Sequence, residues 1–541
     1  MNNRLIRILI LTTTAFFLLT ILFLPSSICV AADDFTTDYH ITYTIDQAGA
    51  AAINQDITLI NNTSNRYVSD YTLTVPLSKI TDISAVNSQG QLKTLVEQQE
   101  NSQTIKVILG SSTTGLGTKT NWTLTYHCPN FAEKRGRLWH VVIPKIQHST
   151  SINSFQLEIN ASDKLGEPQF IIPLPSETNH LDNINQYKFL NAQGEKVKNS
   201  GLVADFGDYQ LFSFYLTYHL SNPLDTAAVT EIALIPNFPP YQKVFIKSLS
   251  PLPKKIEKDL DGNYLATYQL KAHENAAITF QGQVAVDLSP NRAYPKTSAN
   301  YYALQARYTQ PAKYWETTDP AIQKIVQENV NQQMSTQQKA RTLYAYVLKT
   351  LTYNSLNFEG DKSTAGQKLK RLGALGALNE PDNCVCMEFT DLLITLLRSA
   401  GIPARELDGY AYSPDISNHP KGDVLHSWVQ FYDREMQKWI SVDPTWESTS
   451  GRDYFTAMDT DRIIFVIKGI DSEKPYPAGS YKSEDNKETQ DVKISFAQQR
   501  EKGTIPFSLW KQNWENENQK VELLDKIFRW IVKTWEKIKR G

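Results

Sequence analysis

The sequence predicts a multidomain chain: two all-β, sandwich-like domains at the N-terminal side, then an α+β domain, then a C-terminal amphipathic helix. Three observations carry that expectation. Up to about residue 288, apolar and polar residues alternate in short runs parted by polar turns, the signature of half-buried strands. From Asp319 to Ala400 the apolar period lengthens to that of helices, and two strand-like runs follow. Near the end, Val521, Leu524, Phe528, Ile531, Trp535 and Ile538 form one apolar stripe.

Residues 1–32 read as a signal peptide or an N-terminal membrane anchor. Arg4 and Arg7 precede the apolar run Ile8 to Leu24, and Val30-Ala31-Ala32 suits cleavage before Asp33. Either outcome predicts a secreted or cell-surface protein. Residues 33–150 are expected to form the first β-sandwich, with runs such as His40 to Ile45, Asp56 to Ile60 and Trp122 to Tyr126. Residues 151–290 are expected to form the second, with Ser154 to Ile159, Gln210 to Leu216 and Tyr264 to Leu270 as strands. Asp261-Gly262 marks a hairpin turn, and its surroundings lack the ligand spacing of a calcium loop. His127, His140, His180 and His219 read as ordinary strand or loop histidines.

Residues 291–318 are expected to be a linker and 319–470 the α+β domain. Asp319-Pro320 opens a helix with a cap and a proline at its first position. Ser335 to Gln338 spells a capping box for a second helix. Residues 471–500 read as a polar linker with room for one strand, and 501–541 as the basic amphipathic helix. That helix has two readings, docking on its own chain or contact with a membrane surface; docking is preferred. The net charge of −2 gives no footprint for nucleic acid.

The chemistry concentrates in Asp382 to Arg405. Phe389, Leu392, Leu393, Leu396 and Leu397 recur at helical spacing, Asp382 or Asn383 can cap the start, and Gly401 with Pro403 ends the helix. Cys384 and Cys386 then lie at or just before its first turn, where free N–H groups and the helix dipole favour a thiolate. Without Cys29, the remaining cysteines Cys128, Cys384 and Cys386 are too few and odd in number for a disulfide scaffold. Downstream, His426 to Tyr432 and Trp439 to Asp443 read as a hairpin around a polar loop. If Tyr432 pairs with Trp439, Asp443 lies diagonal to His426 on one face, placed to orient the imidazole.

The runs C-M-E-F-T, L-L-R-S-A-G-I-P-A-R, D-G-Y, H-S-W and W-I-S-V-D-P-T together resemble the core of the transglutaminase-like superfamily of papain-type cysteine enzymes. The resemblance covers roughly Asp319 to Ile470. It implies Cys386 as nucleophile, His426 as base and Asp443 as orienting acid, with no cofactor and no metal. The family usually has Gly two residues before the nucleophile, and Cys384 occupies that place here; the four-residue offset to Thr390 points to Cys386. Cys384, Tyr353, Trp428 and His419 are secondary candidates, Tyr353 near the site and His419 as a rim contact. The implied function is a cysteine peptidase or amidase, or a protein-glutamine acyltransferase, acting on protein or peptide carbonyls through a thioester. The rival class is a non-catalytic surface scaffold or adhesion protein. A metal site of Cys384, Cys386, His419 and His426 fits poorly, because one residue between cysteines is short for zinc.

Overall fold

A computed structural model describes residues 34–75, 79–99, 102–110, 114–146, 151–289, 300–354, 371–412, 423–480, 491–516 and 526. The expected signal or anchor segment, His419 and the whole C-terminal stripe lie outside them. The described chain is mostly β-sheet, with its helices concentrated after residue 300. No described helix is long and apolar enough to cross a membrane.

The first β-layer is an eight-stranded sheet that includes Phe35–Ile45, Ala51–Asn61, Lys119–Cys128 and Ser151–Ser162. Phe35–Ile45 alternates buried and open residues, as one face packed on a core requires. Ser151–Ser162 runs parallel to Phe35–Ile45, with Ile41 opposite Leu157. The boundary expected at residue 150 therefore falls inside one sheet. One continuous core runs from Tyr39 to Phe206, joining that sheet to Leu138–Ile143 and Leu202–Phe206 of a four-stranded one. The change of layer comes after Phe206. The reason is long-range pairing, to which local alternation is blind.

The second β-unit combines a five-stranded sheet around Gln210–Ser221 and Asn275–Val286 with a three-stranded one. The Asp259 carboxylate gathers the backbone N–H groups of Asp261, Gly262 and Asn263, which closes the expected hairpin between Lys255–Lys258 and Tyr264–Leu270. Val492–Phe496 joins the five-stranded sheet beside Gln210–Ser221. Residues 507–516 are helical, and Phe507 and Trp514 sink into the same core. Thus the first turns of the C-terminal region dock on the protein. That core also takes Tyr410, Ile463, Phe465 and Val466 from the α+β region, so the two units share apolar burial.

The α+β region has a four-stranded antiparallel sheet in the order Lys438–Val442, Asp423–Asp433, Ala404–Tyr412, Arg462–Lys468. Helices Pro320–Asn329, Thr336–Thr350, Gly373–Asn379 and Cys386–Ser399 contribute to one core against this sheet. Asp319 caps the first of these by accepting from the Ala321 N–H, and Ser335 with Gln338 forms the capping box of the second. Part of the expected linker belongs here too. Tyr301–Tyr308 is a helix whose Gln305 donates to the Gly401 carbonyl at 3.0 Å, and buried Trp315 donates to Asp391 at 2.9 Å.

Candidate active site

The helix Cys386–Ser399 begins at the cysteine itself. Its cap is Val385 in extended conformation, not Asp382 or Asn383. The orphan Val385 N–H is taken by the Glu388 carboxylate at 3.0 Å, which also accepts from the Leu372 N–H at 3.0 Å. A carboxylate reaching back from the third helical position does the work expected of a polar cap. At the other end Gly401 adopts φ +78, and the Ile402 N–H bonds the Leu397 carbonyl, closing the helix as its sequence predicts. Arg398 fastens the following turn through the carbonyls of Ala404, Gln310 and Gly469.

The hairpin has the expected register, with Tyr432 opposite Trp439 and Val429 opposite Val442. It brings the buried side chains of His426 and Asp443 together, Nε2 to Oδ2, at 2.7 Å. The Cys386 thiol lies close enough to the imidazole to act on its ionisation. Nε2 is the ring nitrogen committed to Asp443. Thr390, one turn into the helix, donates to the Ser427 carbonyl at 3.2 Å and ties the cysteine's helix to the histidine's strand. Gly409 lies opposite His426 in the next strand; a Cβ there would stand 2.0 Å from the Ile463 carbonyl oxygen, so the glycine of D-G-Y permits the close strand approach.

Electrostatics separate the groups. Burial alone would lower the His426 imidazole, but the Asp443 carboxylate outweighs it, with Cys386 adding to the effect, and the ring is held up at about 9. Burial would raise Asp443; His426 and Arg462 reverse this and hold it well below the usual carboxylate range. Asp443 is positioned from three sides. Arg462 Nη1 donates to Oδ2 at 2.5 Å, His426 shares that oxygen, and the Trp446 N–H donates to Oδ1 at 3.0 Å as the helix Pro444–Ser450 begins. Trp446 stacks on the imidazole at 5.1 Å between centroids, and Arg462 lies 3.9 Å from the Trp446 ring centroid.

The two cysteines differ sharply. Cys384 is fully buried, and burial, with the Glu388 carboxylate adding to it, pushes its thiol up to about 12. Cys386 is half-buried and reachable. Tyr353 bridges to Cys384 through its backbone; burial pushes its phenol far up, with Cys386 and Asp443 among the charges acting on it, which places it beside the site. Trp428 is buried with its ring 6.1 Å from His426.

The family model of the transglutaminase-like superfamily matches residues 323–444. This stretch is a transglutaminase-like domain. The uncharacterized protein YebA of Bacillus subtilis (strain 168) is 36% identical over 83 residues, 14% of this chain and 11% of that protein. The chain thus spans about a tenth of that relative's length. Among solved structures, the "Putative Cysteine Protease" from Cytophaga hutchinsonii is 14% identical, with 53% of this chain and 86% of that one covered at a TM-score of 0.34. The periplasmic domain of TgpA from Pseudomonas aeruginosa is 16% identical, with 45% and 92% covered at a TM-score of 0.23.

The transglutaminase-like domain abuts a cavity of about 830 Å³ shared with both β-units and lined by Trp428, Trp439, Arg462 and Phe238 among others. Neither Cys386 nor His426 belongs to its lining, so this cavity adjoins the site without holding the sulfur. Sequence reasoning missed Glu388 as the cap, Arg462 as the third anchor of Asp443 and Trp446 as the plate under the imidazole. An apolar strand that opens on arginine, R-I-I-F-V-I-K, was the available signal for Arg462.

Proposed function

We propose that this protein is a thiol enzyme that cleaves peptide or carboxamide carbonyls with Cys386, His426 and Asp443. The observation that carries the reading is the buried His426–Asp443 pair at 2.7 Å beside the Cys386 thiol, which acts on the imidazole's ionisation. The Cys386 sulfur attacks the carbonyl carbon. The resulting oxyanion is met by the Cys386 backbone N–H, which by its place at the helix start has no intrahelical acceptor. The imidazolium of His426 gives its proton to the departing amine as the C–N bond breaks, leaving a thioester. His426 then takes a proton from water as its oxygen attacks the thioester, and sulfur leaves as thiolate. Asp443 holds the ring's orientation and stabilises its charged form throughout.

Water is the acceptor in this reading; a lysine amine in its place would make the same machinery a transglutaminase. Export of the enzyme is part of the proposal, supported by Arg4, Arg7 and the apolar run Ile8 to Leu24. Contact of its C-terminal basic helix with a membrane surface is the lesser alternative to docking. The test compares the full chain with Cys386→Ala on a peptide-amide library, reading released amine and acid product. The variant is expected to lose at least about a thousandfold in rate with an unchanged melting temperature. Equal turnover by both proteins contradicts the proposal. No turnover by the intact chain on any amide favours the scaffold reading.

A further inference from the structure

His140 and Asp205 face each other across the adjacent strands Leu138–Ile143 and Leu202–Phe206 of the first β-unit. Asp461 reaches them from the far side, one residue before the strand Arg462–Lys468 of the transglutaminase-like sheet. All three are buried, at 3%, 1% and 5% exposure, and each offers a ligand atom within 4.8 Å of the other two. His140 Nδ1 and Asp205 Oδ1 are 2.7 Å apart. The other Asp205 oxygen accepts from the Thr460 hydroxyl at 2.7 Å.

Asp461 is the unexplained member. Its Oδ1 is buried with no hydrogen-bond partner among the described residues. Its Oδ2 has the Arg135 guanidinium only at 3.9 Å, and Arg135 also holds Glu133 at 3.1 Å. Arg462 is turned away toward Asp443 and Asp459. Two buried carboxylates thus converge on one imidazole, with the Arg135 guanidinium at 3.9 Å and one Asp461 oxygen left buried and unmet, which is costly.

We propose that His140, Asp205 and Asp461 bind a divalent transition cation, zinc in preference to manganese. One imidazole and two carboxylates with a fourth position open suit zinc, whereas calcium favours oxygen ligands alone. Donor atoms on one tetrahedral ion stand roughly 3.3 Å apart at zinc–ligand lengths of about 2.0–2.2 Å. The His140–Asp205 pair opens slightly and Asp461 closes in. The ion would pin the first β-unit to the strand whose Arg462 positions Asp443. This site is independent of the chemistry proposed at Cys386.

The test uses the full chain carrying Cys386→Ala, so that the reachable thiol does not compete for zinc. After chelator treatment and gel filtration, titration with zinc, manganese and calcium is followed by elemental analysis and thermal melting. The expected result is one tightly held zinc per chain, weaker manganese, weakest calcium, and a higher melting temperature with zinc. Asp461→Asn and His140→Gln, added separately, each weaken zinc binding at least about tenfold. Should Asp461→Asn fail to fold, His140→Gln and the parent chain decide alone. No zinc held by the parent, zinc held equally by the variants, or calcium held more tightly than zinc each overturn the proposal.

Discussion

Two buried charge clusters lie within the same domain. One joins His426, Asp443, Arg462 and Asp459. The other joins Arg371 to Asp391 and Glu406, and Lys468 to Glu406 and Asp408. Both bring carboxylates and cations out of water, and both shift ionisation strongly. Burial and shifted charge therefore do not by themselves mark an active site. The second cluster contains no nucleophile or imidazole, and its centre is buried, with Asp391 at 0% and Glu406 at 0% exposure. It braces Cys386–Ser399, which carries Asp391, against Ala404–Tyr412, which carries Glu406. The first cluster ends on an imidazole beside a half-buried thiol at a helix start, the arrangement on which the proposed chemistry rests.

The comparison can be broken at either end. Asp443→Asn should lower kcat/KM by about 10²–10⁴, since the imidazole loses its orienting acid. It should also move the alkaline limb of the rate. In the intact protein that limb is expected near pH 9, where the His426 ring, held up to about 9, gives up its proton. Without the Asp443 carboxylate, the limb should fall toward the ordinary histidine value of about 6.5. The stability contribution has the same sign. A ring raised on folding stabilises fully below about 6.5 and loses that contribution as pH rises through about 9. A limb that stays near 9 in the variant would show that Asp443 does not set it.

Arg371→Ala should act on stability, costing about 3–5 kcal/mol by leaving Asp391 and Glu406 buried without their guanidinium. Urea unfolding reads this directly, and a loss under about 1 kcal/mol would show the brace to be dispensable. The smallest effect belongs to Cys384→Ala. Removing one buried sulfur should cost about 1 kcal/mol and leave turnover within about threefold. An inactive, folded Cys384→Ala protein would move the nucleophile to the wrong side of the comparison.

Much of the site was legible in the sequence because its parts are local. Tyr432 and Trp439 bracket a polar loop and stack edge to face at 5.6 Å, so the register that brings Asp443 to His426 follows from one hairpin. The helix ends at Gly401 for a reason visible in the residues. The cap was misread because Asp382 and Asn383 are ordinary capping residues, while the structure uses Glu388 from inside the helix. The β-layers were legible as strands but not as units. The parallel pairing of Phe35–Ile45 with Ser151–Ser162 crosses more than a hundred residues and leaves no local trace. His140, Asp205 and Asp461 are likewise brought together only by packing of distant elements.

The assignment of Cys386 rather than Cys384 as the reactive thiol is open to a direct measurement. The full chain is alkylated with iodoacetamide at mildly acidic pH, and labelling of each cysteine is followed by peptide mapping. Cys386 should react at least about tenfold faster than Cys384 or Cys128, and that advantage should vanish in His426→Ala, since the thiolate is the reacting form. Cys384 labelled first, or a Cys386 rate indifferent to His426, would contradict the pairing on which the proposed chemistry stands.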